Sequence, residues 1–186
     1  TDPVADGPVI QSAMTRALNR GTTVNRVYNL CKRVIDVSGK PVVLMTAYNI
    51  VHKRGVSRFV EDSLRAGIKG MIIPDLPADE ADEYCYYARD RLDTIFLATP
   101  AGDRGRCRMA AERSTGFIYY VSLKGITGAR LAMPERNPTG SGASLHRQLA
   151  AMRQLTDKPV YVGFGISSPD QVRSLRALGL NAGAIH

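Results

Sequence analysis

Six short apolar runs punctuate the chain, at residues 41–48, 70–76, 94–100, 116–122, 159–166 and 182–185. They are rich in Val, Ile, Phe or Tyr and bounded by Gly, Pro or Asp. Their hydrophobicity is nearly continuous, as in strands buried on both faces. Between them apolar residues recur at helical spacing. Ile10, Ala13, Met14, Ala17 and Leu18 predict one helix, which Gly21 can stop. Val24, Val27, Tyr28, Cys31 and Ile35 form a second apolar stripe. Asp79 is placed to cap a helix through Tyr84, Tyr87 and Ala88. Ser168 can cap another, with Pro169 at its first position and Gly179 at its end.

Strands separated by helices imply a parallel sheet with right-handed crossovers. An open doubly wound sheet and a β/α barrel both satisfy that pattern, and alternation alone does not choose between them. Successive runs start about 22 to 30 residues apart, except between the fourth and fifth. Residues 130–143, with Gly, Pro and Ser, fill that longer gap as a loop, and a loop of this length is typically a lid or a binding segment. No internal linker or low-complexity stretch interrupts the sequence, so residues 1–186 are expected to form a single domain.

The composition is that of an ordinary soluble domain, with 44% hydrophobic and 23% charged residues. No apolar run approaches the roughly 18 residues a membrane helix needs. The opening Thr1-Asp2-Pro3 does not resemble a signal peptide. Cys31, Cys85 and Cys107 are far apart and odd in number, which suits reduced thiols of a cytoplasmic protein. The net charge of +8 raises the question of nucleic acid, but the basic residues are scattered and no nucleic-acid motif is present. A solvated basic surface is expected, with neither nucleic-acid nor membrane partners.

In both architectures ligands bind at the carboxyl ends of the strands. Asn49, Asp75, Thr99, Tyr119 and Gly165 are placed there, with Asp6 in the opening loop. Two Gly-containing segments, 125–128 and 163–169, follow the fourth and fifth runs, and Gly183 lies in the sixth. Glycine lets backbone N–H groups approach a phosphate closely, and a helix start adds a favourable dipole. Each feature also has a plain structural explanation: turn glycines, Asp6 as a helix cap, Tyr119 as a packed strand aromatic, Asp75 as a turn former. His52, His146 and His186 have no triad or metal spacing, and no metal site is expected.

The ten residues from Asp2 to Gln11, DPVADGPVIQ, closely resemble a signature of the tryptophan synthase alpha chain family. The segments MTAYN (45–49), IPDLP (73–77), YYVS (119–122), GITG (125–128) and GFGIS (163–167) match that family in the same order. The resemblance implies a (β/α)8 TIM barrel. It expects this chain to hold roughly strands 3 to 8, with the first two strands and the C-terminal helices outside it. It implies a carbon–carbon lyase of tryptophan biosynthesis that cleaves indole-3-glycerol phosphate by a retro-aldol reaction. By the motif match Asp6 accepts the indole N–H and Tyr119 lies beside the substrate. Ile10 and Phe164 line the indole pocket, and Gly128 and Gly165 present backbone N–H groups to the phosphate. Asn49 is expected among the substrate-binding residues, and with the opening loop it faces a beta chain within an alpha2beta2 heterotetramer. Pyridoxal phosphate is expected in that partner, with no cofactor in this chain.

The sequence departs from the family pattern at several points. The family's catalytic glutamate falls before Thr1, so nothing here takes its role, and this stretch alone is expected to be inactive. Ala47 stands where relatives often carry an aromatic residue. The loop at 130–142 is longer and more polar than a typical lid. Two other readings remain at this level, a stand-alone indole-3-glycerol-phosphate lyase and an inactive partial barrel that only binds ligand or partner, while the DPVADGPVIQ motif argues against another phosphate-binding barrel such as a phosphoribosyl isomerase.

Overall fold

The computed structural model describes residues 7–99, 103–121, 141–163, 169, 173 and 184–185. The chain divides into two compact units, Thr1–Thr94 and Ile95–His186. Both follow the alternation of strand and helix expected from the apolar runs.

The first unit opens with α1 (Gly7–Asn19) and α2 (Val24–Ser38). Ala13, Met14 and Ala17 of α1 are half-buried, while Ile10 and Leu18 stay exposed. Gly21, with φ of 74°, donates its N–H to Leu18 O at 2.8 Å and ends the helix, as the sequence suggested. Helix α2 starts where the Thr23 hydroxyl accepts from the Arg26 N–H at 3.3 Å. It stops at Gly39, whose φ of 63° is a left-handed conformation that glycine adopts without steric cost. Its expected stripe is the inward one. Tyr28 and Cys31 are buried, and the Tyr28 ring lies 6.1 Å from that of Phe59.

Strand β1 (Val43–Met45) is followed by α3 (Tyr48–Arg54), α4 (Val56–Arg65), β2 (Gly70–Ile72), a 3-10 turn (Ala78–Glu80), α5 (Asp82–Ala88) and β3 (Asp93–Ile95). The three strands form a sheet in the order β1-β2-β3, with β1 and β2 parallel and Val43 opposite Gly70. The Arg54 guanidinium gathers three helices. Its Nε donates to Asp62 Oδ2 on α4 at 2.8 Å and its Nη2 to Asn25 Oδ1 on α2 at 2.8 Å. It also lies 5.5 Å from the centroid of the Tyr28 ring.

The second unit holds β4 (Leu97–Ala98), α6 (Arg104–Arg113), β5 (Ile118–Val121), α7 (Ser141–Arg153), β6 (Val160–Gly163) and β7 (Ala184–Ile185). Its sheet runs β4-β5-β6-β7 with every neighbouring pair parallel. The Asp103 carboxylate caps α6 by accepting from the Arg106 N–H at 2.8 Å. Tyr120 and Tyr119 point to opposite faces of β5, since side chains alternate along a strand. Tyr120 is directed to α7, where its hydroxyl donates to Gln148 Oε1 at 3.3 Å. Leu149 and Met152 of α7 are buried.

Three expectations are corrected. The apolar run at 94–100 is not one strand: β3 belongs to the first sheet and β4 to the second. The break falls at Phe96, whose N–H donates to the buried Ser114 hydroxyl at 3.0 Å instead of to a strand neighbour. Asp79 does not cap the following helix. It lies within the 3-10 turn, and α5 begins at Asp82 after Ala81, which has no side-chain acceptor. The loop expected through residue 143 gives way to helix α7 at Ser141. Residues 130–140, the 125–128 segment and the Ser168 and Gly179 helix ends lie outside the described residues. Among the described residues no helix is long and apolar enough to cross a membrane, and the three cysteines are free thiols.

Candidate active site

Strand alternation on β5 and β6 positions Tyr119. It pairs with Tyr161, while Val121 pairs with Gly163 at the last residue of β6. These four residues share one face, opposite the face on which Tyr120 meets α7. Phe117 continues that face, its ring edge-on to Tyr161 at a centroid distance of 4.7 Å. The Tyr119 side chain leans along the sheet toward the carboxyl end of β6. A Cβ placed on Gly163 would overlap Tyr119 Oη and Cζ and lie 2.8 Å from Cε1. The absence of a side chain at residue 163 is therefore what lets the phenol reach the strand end, where α/β folds bind their ligands. Tyr119 itself is buried. A phenol can donate or accept one hydrogen bond at such a position without carrying charge.

The strand ends of the first unit meet at a second point. The loop after β2 carries Asp75, which is exposed in a turn closed by the Leu76 N–H on Ile73 O at 3.1 Å. Its two carboxylate oxygens accept from the Tyr48 backbone N–H at 2.8 and 3.0 Å. Asp75 is thus a turn residue, as its sequence context allowed, and also a cap for a distant helix. Asn49 follows Tyr48 in the first turn of α3 and is exposed. Ile10 is 43% exposed on α1, so within the first unit it offers an open apolar side chain.

The remaining sequence candidates, Asp6, Gly128, Phe164 and Gly165, lie outside the described residues. Two contributors were missed by sequence reasoning. Gly163 appeared only as one glycine of a turn-like segment, and the strand pairing that sets it beneath Tyr119 is non-local. The link from Asp75 to Tyr48 spans 27 residues and has no local signal. Among the described residues no group of three His, Cys, Asp or Glu side chains is placed to hold a metal ion. Burial pushes the Tyr120 phenol, on the helix-facing side of β5, up to about 12. It raises the thiols of Cys31 and Cys107 in the same direction.

The family model for the tryptophan synthase alpha chain matches residues 1–185. The chain is similar to the tryptophan synthase alpha chain of Geobacter sulfurreducens, with 44% identity over 178 residues covering 95% of this chain and 64% of that protein. It is similar to that of Synechocystis, with 40% identity over 183 residues covering 98% of this chain and 66% of that protein. The chain therefore spans just under two thirds of the length of these relatives. Among solved structures it resembles a chain of the tryptophan synthase a2b2 complex from Pyrococcus furiosus, with a TM-score of 0.85 and 34% identity, over all of this chain and 72% of that one. A structure from Aquifex aeolicus is similar at a TM-score of 0.82 and 30% identity, over all of this chain and 67% of that one. The likeness decides between the two architectures the alternation left open, in favour of part of the alpha-chain TIM barrel over an open sheet. With the family model matching residue 1 through residue 185 and the fold in agreement, this chain belongs to the tryptophan synthase alpha chain family.

Proposed function

We propose that the polypeptide carrying this chain is the alpha subunit of a tryptophan synthase, a lyase that cleaves indole-3-glycerol phosphate to indole and glyceraldehyde 3-phosphate. The observation that carries the reading is the family match across residues 1–185, with the DPVADGPVIQ motif at its start. The match also supports treating residues 1–186 as part of one barrel domain.

In the retro-aldol step the indole ring carbon that bears the glycerol chain takes up a proton. A base removes the proton of the neighbouring side-chain hydroxyl, and that oxygen becomes the aldehyde oxygen of glyceraldehyde 3-phosphate. The electrons of the breaking carbon–carbon bond return to the ring and restore its aromaticity. Positive charge accumulates on the indole nitrogen in between, and the Asp6 carboxylate, accepting the N–H, stabilises it electrostatically. Tyr119 lies beside the substrate, and Ile10 and Phe164 enclose the indole. Gly128 and Gly165 offer backbone N–H groups to the phosphate. The chain uses no cofactor of its own, works in the cytoplasm and docks through Asn49 on a beta chain that holds pyridoxal phosphate. The Pyrococcus furiosus a2b2 complex supports that partnership by its likeness.

The test is indole release from indole-3-glycerol phosphate by the natural polypeptide, with and without a beta chain. Asp6→Asn is expected to lower turnover by about 100- to 1000-fold, the range for loss of one preorganised electrostatic contact. Unchanged turnover in that variant would remove the role given to Asp6. Full turnover without any response to a beta chain would favour a stand-alone lyase.

A further inference from the structure

We infer that Asp75 is a positioning residue that sets the start of α3 and, through it, the presentation of Asn49 to the partner chain. This rests on the reading of Asn49 as a partner contact. The first N–H groups of any helix lack partners within the helix. In α3 the capping position is Ala47, whose methyl group accepts nothing. Asp75 supplies the missing acceptor from the neighbouring loop, with both oxygens on the Tyr48 N–H. A carboxylate there also complements the positive end of the helix dipole.

The acceptor is held by its own turn as well as by its contact with α3. Ile73 and Leu76, on either side of the Pro74-Asp75 turn, are each 4% exposed and anchor it. Pro74 and Pro77 restrict its backbone. On the α3 side, the Thr46 N–H donates to Ile72 O at 3.0 Å, which extends the pairing of β1 with β2 almost to the helix start. The loops after β1 and β2 are thereby locked as one piece, and Asn49, the next residue along, inherits its position from a carboxylate 26 residues later in the sequence.

The test uses the natural polypeptide with Asp75→Ala, Asp75→Asn and Asn49→Ala, measured by amide hydrogen exchange of the free protein and by calorimetric affinity for a beta chain. Asp75→Ala is expected to speed exchange at Tyr48 and to weaken beta-chain affinity, each by about fivefold, the effect of losing a typical helix cap. Asp75→Asn, whose amide oxygen still accepts, is expected to restore most of both, which a loss of charge alone would not predict. Unchanged exchange at Tyr48 in Asp75→Ala overturns the positioning role. So does a loss of affinity in Asn49→Ala with none in Asp75→Ala. If neither variant alters affinity, the partner reading of Asn49 falls, and the positioning role falls with it.

Discussion

Replacing Gly163 by alanine tests the geometry of the candidate site directly. The ladder of β5 and β6 sets Tyr119 opposite Tyr161, and the phenol reaches two residues along to lie over Gly163. The added Cβ would sit 2.8 Å from Tyr119 Cε1 and closer still to Cζ and Oη. Comfortable carbon–carbon contact begins at about 3.5 Å, so the ring must swing by about 1 Å or more. Tyr119 is only 4% exposed, which leaves the ring little room to move. Overpacking of this kind costs about 1–3 kcal/mol. Alanine is intrinsically better than glycine in a strand by about 0.5–1 kcal/mol, which offsets part of that loss. A net destabilisation of about 1 kcal/mol is expected in denaturant titration. Under the proposed function, turnover of indole-3-glycerol phosphate by the natural polypeptide is expected to fall by about 100-fold, because a substrate-aligning group displaced by about 1 Å loses its alignment. Tyr119→Phe added to Gly163→Ala keeps Cζ and Cε1, so it should not relieve the clash. Tyr119→Leu should recover stability but not turnover, and the coupling between the two sites can be read from a double-mutant cycle. A Gly163→Ala protein within about 0.5 kcal/mol of the parent, with unaltered turnover, would refute the placement of the ring.

Arg54→Ala is expected to destabilise the protein by about 1–2 kcal/mol in denaturant titration, because it removes the contacts to Asn25 and Tyr28 and leaves the mostly buried Asp62 with only its exposed partners Arg58 and Arg65. Arg54→Lys should recover only part of this, since an ammonium cannot reproduce the planar fork. Tyr120 carries a pKa raised from 10.0 to about 12, first by burial and then by the charge of Cys107. The fold therefore favours the neutral phenol, and that contribution is complete below pH 10 and is lost as pH rises through about 12. Tyr120→Phe should flatten the fall of stability across this window, as followed by denaturant titration at a series of pH values. An equally steep fall in the variant would place the titrating group elsewhere.

What the sequence determined by itself was local. The six apolar runs each contain a strand in the described residues, and burial of both faces explains the continuous apolarity of β2 and most of β5 and β6, but not of β1, which is exposed to half-buried. The inward face of α2 and the glycine that ends α1 were legible for the same reason: helical spacing and left-handed backbone are properties of a few adjacent residues. The motif from Asp2 to Gln11 carried the resemblance to the family to which the chain belongs. Tertiary structure decided whatever depended on distant partners. The Ser114 hydroxyl splits the run at Phe96 between two sheets. Asp75 caps a helix that ends 21 residues before it, and Arg54 ties α3 to α2 and α4. Gly163 shows its importance only once β6 lies beside β5. In each case one residue's role is set by an atom that chain folding brings near, and no local pattern of polarity records that neighbour.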